Sequence, residues 1–227
     1  MNEDLTKRCV LVTGASSGIG RACAEAFAEC GCRLLLAARR KDRLDELKKE
    51  LQDRHGVAIL TTSLDVRDRS AVEDWVGGLP IEWLEIDILV NNAGLSRGID
   101  PLHEGDISDW EEMIDTNVKG LLYITRAVLP GMVDRGHGHV INIGSIAGHE
   151  VYPGGNVYCA TKHAVTALTR GLAIDTLGTG VRVSSIDPGM VETEFSLVRF
   201  HGDAQRASGV YDGLDPLSGD DVADAVV

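Results

Sequence analysis

A short apolar run, a glycine-rich turn and a helical pattern follow one another near the start of the chain. Residues 9–13 are apolar and rich in β-formers, so they predict a buried strand. The turn at residues 14–20 has the spacing GxxxGxG, and a helical pattern continues from residue 21 to residue 30. In this order the glycines allow a pyrophosphate to approach closely, and the start of the helix offers it free N–H groups. The turn alone is equally consistent with a tight strand–helix connection.

Strands and helices alternate along the rest of the chain. The predicted strands lie at residues 9–13, 33–38, 57–64, 86–90, 140–143 and 181–186. The later predicted helices lie at residues 41–54, 70–78, 109–134 and 156–177. This alternation is typical of an α/β fold with a doubly wound parallel sheet, in which ligands bind at the carboxyl ends of the strands. We expect a single domain over residues 1–227, without repeats, low-complexity segments or linkers.

The composition narrows the classes of partner. The formal net charge of −13 argues against general binding to nucleic acid or to an anionic membrane surface. Five cysteines without a CxxC pair indicate free thiols in a reducing compartment rather than a disulfide framework or a metal site. Residues 1–8 lack a signal-peptide pattern and no apolar run is long enough to span a bilayer. We therefore expect a cytoplasmic protein that binds a small molecule and no metal.

Charged side chains follow the second and third predicted strands. Arg39 and Arg40 stand where an acid usually holds the ribose hydroxyls of NAD, and two guanidinium groups there favour the 2′-phosphate of NADP. The two arginines could instead cap the sheet edge or pair with Asp42 or Glu46. Asp65 ends the third strand, where it could bond an adenine amino group or cap the following helix.

Asparagines occupy two further positions of interest. Asn91 and Asn92 follow the fourth strand, where they can tie neighbouring strands together and line a cofactor crevice, or form a plain turn. Asn117 falls within the long predicted helix at residues 109–134, where an amide competes for backbone hydrogen bonds. A residue at such a position is often functional, and a satisfied structural asparagine is the alternative.

Ser145, Tyr158 and Lys162 could form a proton-transfer site. Tyr158 and Lys162 are four residues apart, which places both side chains on one face of a helix. A lysine ammonium there favours the phenolate and is expected to lower the tyrosine pKa. The hydroxyl of Ser145, delivered by the fifth strand, could hold a substrate oxygen beside the phenol, which suits proton transfer to or from an alcohol or carbonyl. The alternative is an exposed Tyr/Lys pair on an ordinary helix.

Taken together, these motifs resemble the short-chain dehydrogenase/reductase family along almost the whole chain. The residues that carry the resemblance are Thr13 to Gly20, Asn91-Asn92-Ala93-Gly94, Asn117, Ser145, Tyr158-Cys159-Ala160-Thr161-Lys162, Pro188-Gly189 and Thr193. The resemblance implies a Rossmann-type sheet flanked by helices, and a hydride transfer between a nicotinamide and a substrate carbon.

The resemblance also implies roles for individual residues. Tyr158 would be the acid/base, while Lys162 would lower its pKa and hold the nicotinamide ribose. Ser145 would position the substrate oxygen, and Asn117 would anchor a water that links Lys162 to solvent. The expected cofactor-binding residues are Gly14, Ser16, Ser17, Gly18, Ile19, Gly20, Arg39, Arg40, Asp65, Val66, Asn92, Tyr158, Lys162, Pro188, Gly189, Val191 and Thr193.

Within the family the chain is most similar to NADP-dependent 3-hydroxy acid dehydrogenases, which oxidise serine, allo-threonine and related short acids such as 3-hydroxypropionate. This similarity is carried by residues 38–40, 141–148, 152–158 and 193–200. A short carboxylate needs a cationic partner near Tyr158, and Arg199 is the expected clamp, with Arg97 a weaker candidate. The alternatives are a carbonyl or 3-oxoacyl reductase of another subgroup, or a non-catalytic dinucleotide-binding protein.

The last expectations concern the end of the chain and its assembly. The resemblance implies a homo-oligomer, a tetramer or a dimer, and a last parallel strand that commonly helps to build the interface. The sequence ends at Val227, in what looks like a capped helix beginning near Ser218, so this strand is expected to be missing. A missing edge strand would expose apolar sheet and weaken assembly.

Overall fold

A six-stranded parallel sheet forms the centre of the protein in the computed structural model, which describes residues 5–227. The strands, numbered β1 to β6, are Cys9–Thr13, Arg33–Ala38, Ile59–Ser63, Ile88–Asn91, Gly138–Ile143 and Val181–Ile186. Their order in the sheet is β3-β2-β1-β4-β5-β6, and every pair is parallel. This order confirms the predicted doubly wound sheet. All carboxyl ends therefore lie at one edge, with the crossover point between β1 and β4.

Helices cover both faces of the sheet. The helices, numbered α1 to α9, are Gly18–Glu29, Lys41–His55, Arg69–Gly77, Ile107–Ile114, Leu121–Arg135, Asn156–Asp175, Phe195–Arg199, Ala204–Ser208 and Gly219–Val226. On one face, buried side chains of α1, α2 and α9 pack with those of β1 and β2. On the other face, α3 and α5 pack against the opposite side of the same strands. Apolar runs in the strands are thus buried on both sides, as a parallel sheet requires.

One predicted helix is interrupted in the structure. The sequence predicts a single helix over residues 109–134, whereas the structure interrupts it with the π-helical segment Asp115–Gly120 between α4 and α5. The expected capped helix near the end of the chain is confirmed. Ser218 and Asp221 form a capping box at the start of α9, which packs against α1. Within residues 5–227, every helix is too short or too polar to cross a membrane.

Candidate active site

The glycine-rich turn lies at the crossover point, where Asn92 holds it against the end of β4. The Asn92 side-chain amide donates to the carbonyl oxygens of Thr13 and Gly14, at 2.9 and 3.3 Å. Gly14 has a φ of +67°, and a Cβ added at Gly20 would lie 2.5 Å from the Gly14 carbonyl oxygen. Only glycine fits both positions. Ser17 precedes α1 without capping it through its side chain, so the turn forms a cradle of the kind that accepts a pyrophosphate.

Of the two adjacent asparagines, Asn91 ties neighbouring strands together and Asn92 lines the cofactor crevice. Asn91 donates to Asn142 Oδ1 on β5 and to Thr125 Oγ1 on α5, both at 2.9 Å. Asn142 in turn donates to Thr169 Oγ1 on α6 at 2.9 Å. This buried network ties β4 to β5 and to two helices, so Asn91 is structural. Asn92 lines the crevice beside it.

Arg40 faces the glycine turn from the end of β2. Its guanidinium donates to Ser17 Oγ at 2.6 Å, to Ser16 Oγ at 3.1 Å and to a carboxylate oxygen of Glu194 at 2.8 Å. Arg39 lies 3.6 Å from Glu112. The ion pairs therefore join the two arginines to acids far along the chain, and not to Asp42 or Glu46 as the alternative interpretation held.

Asp65 lines the same end of the crevice, but its carboxylate is held by Arg67. Arg67 donates to it through Nη2 at 2.6 Å and through Nε at 2.9 Å, and these hydrogen bonds hold the pKa of Asp65 below its usual range. Its lowered pKa keeps Asp65 an acceptor. The cap of the following helix is Asp68, which accepts from the Ala71 N–H.

Ser145, Tyr158 and Lys162 are all buried, with 7%, 8% and 7% of their surface exposed. Burial raises the pKa of Tyr158 to about 12, and a hydrogen bond with Ser145 opposes that rise. Lys162 Nζ donates to the Ile143 carbonyl at 2.8 Å and lies 5.9 Å from the centre of the Tyr158 ring. Burial lowers the pKa of Lys162 to about 8, opposed by the charge of Asp187.

In this structure burial sets the direction of the Tyr158 pKa shift, and the role expected of Lys162 in lowering that pKa stays a prediction. The spacing brings the two side chains to one face, as predicted. The ammonium, however, is directed to a carbonyl at the end of β5, and desolvation is the largest cause of the pKa shift of each group. The phenol stays protonated well above neutral pH, while the lysine titrates close to it.

Asn117 lies inside the π-helical segment and is buried. Its side chain accepts from the Leu95 N–H and donates to the Leu95 carbonyl, both at 2.8 Å, and donates to Thr161 Oγ1 at 3.0 Å. The amide thus joins the loop after β4 to α6, one residue before Lys162. A Cβ added at Gly94 in that loop would lie 3.2 Å from Asn117 Oδ1 and 3.8 Å from Lys162 Nζ, so both groups border one small space.

Arg199 borders a cavity of about 400 Å³ on the far side of Tyr158. Its guanidinium carbon lies 5.1, 5.6 and 6.0 Å from the ring centres of Phe195, Tyr158 and Tyr152. Nη2 donates to the Tyr152 hydroxyl at 3.2 Å. Among residues 5–227 no carboxylate forms an ion pair with Arg199, so its charge is available to a ligand.

Arg97 is not a second clamp. It pairs with Glu112 at 2.7 Å and donates to the Val198 carbonyl, and it does not line the cavity beside Arg199. Its position behind α7 makes it a support for that helix.

Three adjoining cavities form one crevice along the carboxyl edge of the sheet. The first contains the two arginines, the middle one contains Lys162, and the third contains Arg199. The first and middle cavities share Gly14, Ser17, Ala93, Gly94 and Val198, whereas the middle and third share Ser145, Tyr158, Gly189, Val191 and Phe195.

Most predicted contact residues line this crevice. Ser16, Arg39, Arg40, Asp65 and Val66 line its first part, and Gly18, Ile19, Asn92, Lys162, Pro188 and Thr193 line its middle part. Gly20 and Asn117 line none of the three cavities and are buried behind the residues that do. The crevice has cationic groups at one end, the glycine-rich turn along it and a buried phenol at the other end. This arrangement fits a phosphorylated dinucleotide bound in an extended shape.

An α/β sheet with such a crevice at its crossover point defines a dinucleotide-binding protein with an acid–base group beside the cofactor crevice. The chain belongs to the short chain dehydrogenase family, whose model matches residues 8–202.

Individual relatives include dehydrogenases named for 3-hydroxy acids and for serine, and a reductase named for sulfoacetaldehyde. The NADP-dependent 3-hydroxy acid dehydrogenase YdfG of Escherichia coli (strain K12) is 52% identical over 96% of this chain and 86% of that protein. Sulfoacetaldehyde reductase 2 of Chromohalobacter salexigens is 47% identical over 96% of this chain and 86% of that protein. The closed form of a serine dehydrogenase complexed with NADP+ superposes with a TM-score of 0.91 at 52% identity, covering 96% of this chain and 87% of that one.

Sequence reasoning missed several residues that shape the site. Arg43 pairs with Glu194 at 2.6 Å, and Phe195 packs edge-on against Tyr158 with ring centres 5.6 Å apart. Arg43 lies in the first turn of α2, three residues after Arg40, which immediately precedes that helix, and this short spacing was a usable signal. Glu194 lies 154 residues from Arg40, so no local pattern could have paired them.

Proposed function

We propose that this protein transfers a hydride between NADP(H) and the carbinol or carbonyl carbon of a short 3-hydroxy acid. The observation that carries this proposal is the guanidinium of Arg199, which borders the cavity beside Tyr158 and pairs with no acid among residues 5–227. A short acid could place its carboxylate there and its carbinol at the phenol. The 3-hydroxy acid and serine dehydrogenases among the relatives support this choice, and L-serine, L-allo-threonine and 3-hydroxypropionate are the substrates we propose.

For the cofactor, we propose that the adenine end lies near Asp65 and Val66, with the 2′-phosphate at Arg39 and Arg40. The pyrophosphate would lie over the turn formed by Gly14, Ser16, Ser17, Gly18, Ile19 and Gly20. Asn92, Tyr158, Lys162, Pro188, Gly189, Val191 and Thr193 would border the nicotinamide end. The bound cofactor supplies the hydride acceptor or donor.

The chain's own residues move the proton. In reduction, the Tyr158 phenol gives its proton to the carbonyl oxygen. In oxidation, the phenol first passes its proton towards neutral Lys162, and the phenolate then takes the carbinol proton. Ser145 holds the substrate oxygen by a hydrogen bond. Lys162 returns a proton to the phenolate after reduction and accepts one from the phenol before oxidation, and its pKa of about 8 lets it do both near neutral pH. Asn117 anchors the relay from Lys162 towards solvent. Burial of the whole group excludes bulk water and keeps this exchange local.

A second candidate function is the reduction of a short aldehyde that carries a sulfonate. It is favoured by the 47% identity to a sulfoacetaldehyde reductase and by the same unpaired Arg199, which suits a sulfonate as well as a carboxylate. A neutral carbonyl or 3-oxoacyl substrate gains less from this arginine. A non-catalytic dinucleotide-binding protein would have no need of a buried Ser145, Tyr158 and Lys162 set.

The assay that tests the proposal follows NADP reduction with L-serine and 3-hydroxypropionate, and NADPH oxidation with sulfoacetaldehyde. NAD and the variant Tyr158→Phe serve as controls. We expect a rate with NADP and a hydroxy acid that falls by roughly 10²–10⁴-fold in the variant. A rate with sulfoacetaldehyde alone would favour the second function. Tight NADPH binding without turnover of any anionic substrate would contradict both.

We also propose a cytoplasmic homo-oligomer, a tetramer or a dimer. Support for assembly comes from exposed apolar side chains at the end of α6 and just after it, where Ile174 and Leu177 are 67% and 78% exposed. Light scattering during gel filtration measures the assembly directly, and a monomer at micromolar concentration would contradict it.

A further inference from the structure

Glu194 forms ion pairs with two arginines, Arg40 and Arg43, at the phosphate end of the crevice. Its two carboxylate oxygens accept from Arg40 Nη1 at 2.8 Å and from Arg43 Nη1 at 2.6 Å. Arg40 at the same time donates to Ser16 and Ser17 in the glycine-rich turn. A negative group of the chain itself is therefore held where the proposed function places the 2′-phosphate.

A phosphate can replace the Glu194 carboxylate at the Arg40 guanidinium. A guanidinium binds a carboxylate and a phosphate through the same planar fork of N–H groups, so the two anions are alternatives for one arginine. Hydrogen bonds from Arg40 and then Arg43 hold the pKa of Glu194 below its usual range, which keeps the acid ionised at neutral pH. Glu194 is about one-third exposed and lies just before α7, where it can leave the arginines without opening the core.

We propose that Glu194 is an internal competitor for Arg40, displaced by the 2′-phosphate of NADP(H) and left in place by NAD(H). This inference rests on the proposed function, because it takes the 2′-phosphate to bind at Arg40. Affinity for NADP(H) is then reduced by the ion pair that has to be broken. Affinity for NAD(H) carries no such cost, so Glu194 sets how strongly the protein prefers NADP(H).

The variant Glu194→Gln tests the competition, with Glu192→Gln as the matched control. Glu192 lies two residues away on the same segment, is exposed, and forms no ion pair within residues 5–227. Both variants remove one negative charge, so a general change in potential would affect both alike. NADPH and NADH are titrated into each protein, with nicotinamide fluorescence as the readout.

We expect Glu194→Gln to lower the Kd for NADPH by roughly three- to tenfold and to leave the Kd for NADH unchanged. Glu192→Gln should change neither. Adenosine 2′-phosphate, titrated by calorimetry, should show the same gain in affinity as NADPH, whereas adenosine 5′-phosphate should show none. Glu194→Ala repeats the measurement if the glutamine variant unfolds.

Three results would overturn the inference: equal tightening for NADPH and NADH, the same gain in Glu192→Gln, or weaker NADPH binding in Glu194→Gln. The last would mean that Glu194 orients the arginines for the phosphate. The proposed function fails separately, when the wild-type protein binds NADPH no more tightly than NADH.

Discussion

Arg199 is a cation whose neighbours are three aromatic rings, where an acid would be the usual partner. The faces of Phe195, Tyr158 and Tyr152 attract the guanidinium without neutralising it, each within about 6 Å. Aromatic neighbours also restrict the movement of a long side chain. The charge is thereby held at one wall of the substrate cavity and remains available to an anion.

Replacing Arg199 with alanine should separate anionic from neutral substrates. We expect KM for a hydroxy acid to rise by roughly 10–100-fold, because a charge-assisted hydrogen bond contributes about 1.5–3 kcal/mol. KM for a neutral ketone should change little. Steady-state kinetics with both substrates measure the effect.

Arg206→Ala is the control, since Arg206 lies over the Phe200 ring at 4.4 Å and does not line the substrate cavity. It should leave both KM values unchanged. If Arg199→Ala raised KM equally for the acid and for the ketone, its role would be structural.

At the scale of an element, the π-helical segment explains why Asn117 is buried in the middle of a helix. An added residue in the turn widens the helix and re-aims the side chains within it. Here the wider turn lets one amide satisfy both backbone groups of Leu95 and also reach Thr161. The helix pattern was readable from the sequence, but the interruption depends on a partner 22 residues upstream.

Asn117→Ala should destabilise the protein by about 2–3 kcal/mol, because it leaves buried backbone groups of Leu95 without partners. Urea unfolding measures this loss, and kcat should fall along with stability because the loop beside Lys162 is released.

Lys119→Ala is the comparison within the same segment. Lys119 is exposed and forms a surface salt bridge with Asp115, so its loss should cost less than about 0.5 kcal/mol. Equal losses in the two variants would contradict the role assigned to the amide.

At the scale of the whole molecule, Lys162 costs the protein stability. Its pKa falls from 10.5 to about 8 on burial, which corresponds to a penalty on the order of 3 kcal/mol at neutral pH. The unfolded chain binds this proton more readily than the folded one. The Lys162 contribution to stability should therefore rise as the pH goes from about 8 to about 10.5, while the raised pKa values of the buried thiols of Cys9, Cys23 and Cys32 oppose this rise above about pH 9.

We expect Lys162→Met to stabilise the ligand-free protein at pH 7 by on the order of 2 kcal/mol, because the loss of the hydrogen bond to the Ile143 carbonyl offsets part of the gain. The same variant should have no activity. The gain in stability should shrink between pH 8 and pH 10. Urea unfolding at pH 7, 8, 9 and 10 measures it.

Lys119→Met, at an exposed site, should show no comparable gain at any of these pH values. A stability gain in Lys162→Met that stays constant from pH 7 to pH 10 would mean that the lysine is not the titrating group. Tyr158 and the buried cysteines also titrate differently on folding, but both proteins contain them, so their contributions cancel in the difference between wild type and Lys162→Met.

The sequence could predict the sheet because each strand is a local apolar run, and because crossovers between parallel strands follow one hand. It could also place Ser145, Tyr158 and Lys162 together, since they lie on neighbouring elements at one edge. It could not give the sign of the tyrosine pKa shift, because burial depends on packing from distant parts of the chain. The pairing of Glu194 with Arg40 was hidden for the same reason.

The three parts of the crevice are also encoded in different parts of the gene. Among residues 5–227, those that line the substrate cavity all lie from Ser145 to Tyr211, whereas the phosphate end is lined mostly by residues before position 67. A recombination event between these stretches would exchange substrate choice while keeping the residues proposed to hold the 2′-phosphate. Glu194 is inherited with the substrate half but acts on the arginines of the cofactor half. Chimeras of such enzymes therefore have to match that one acid to the arginines of the other parent.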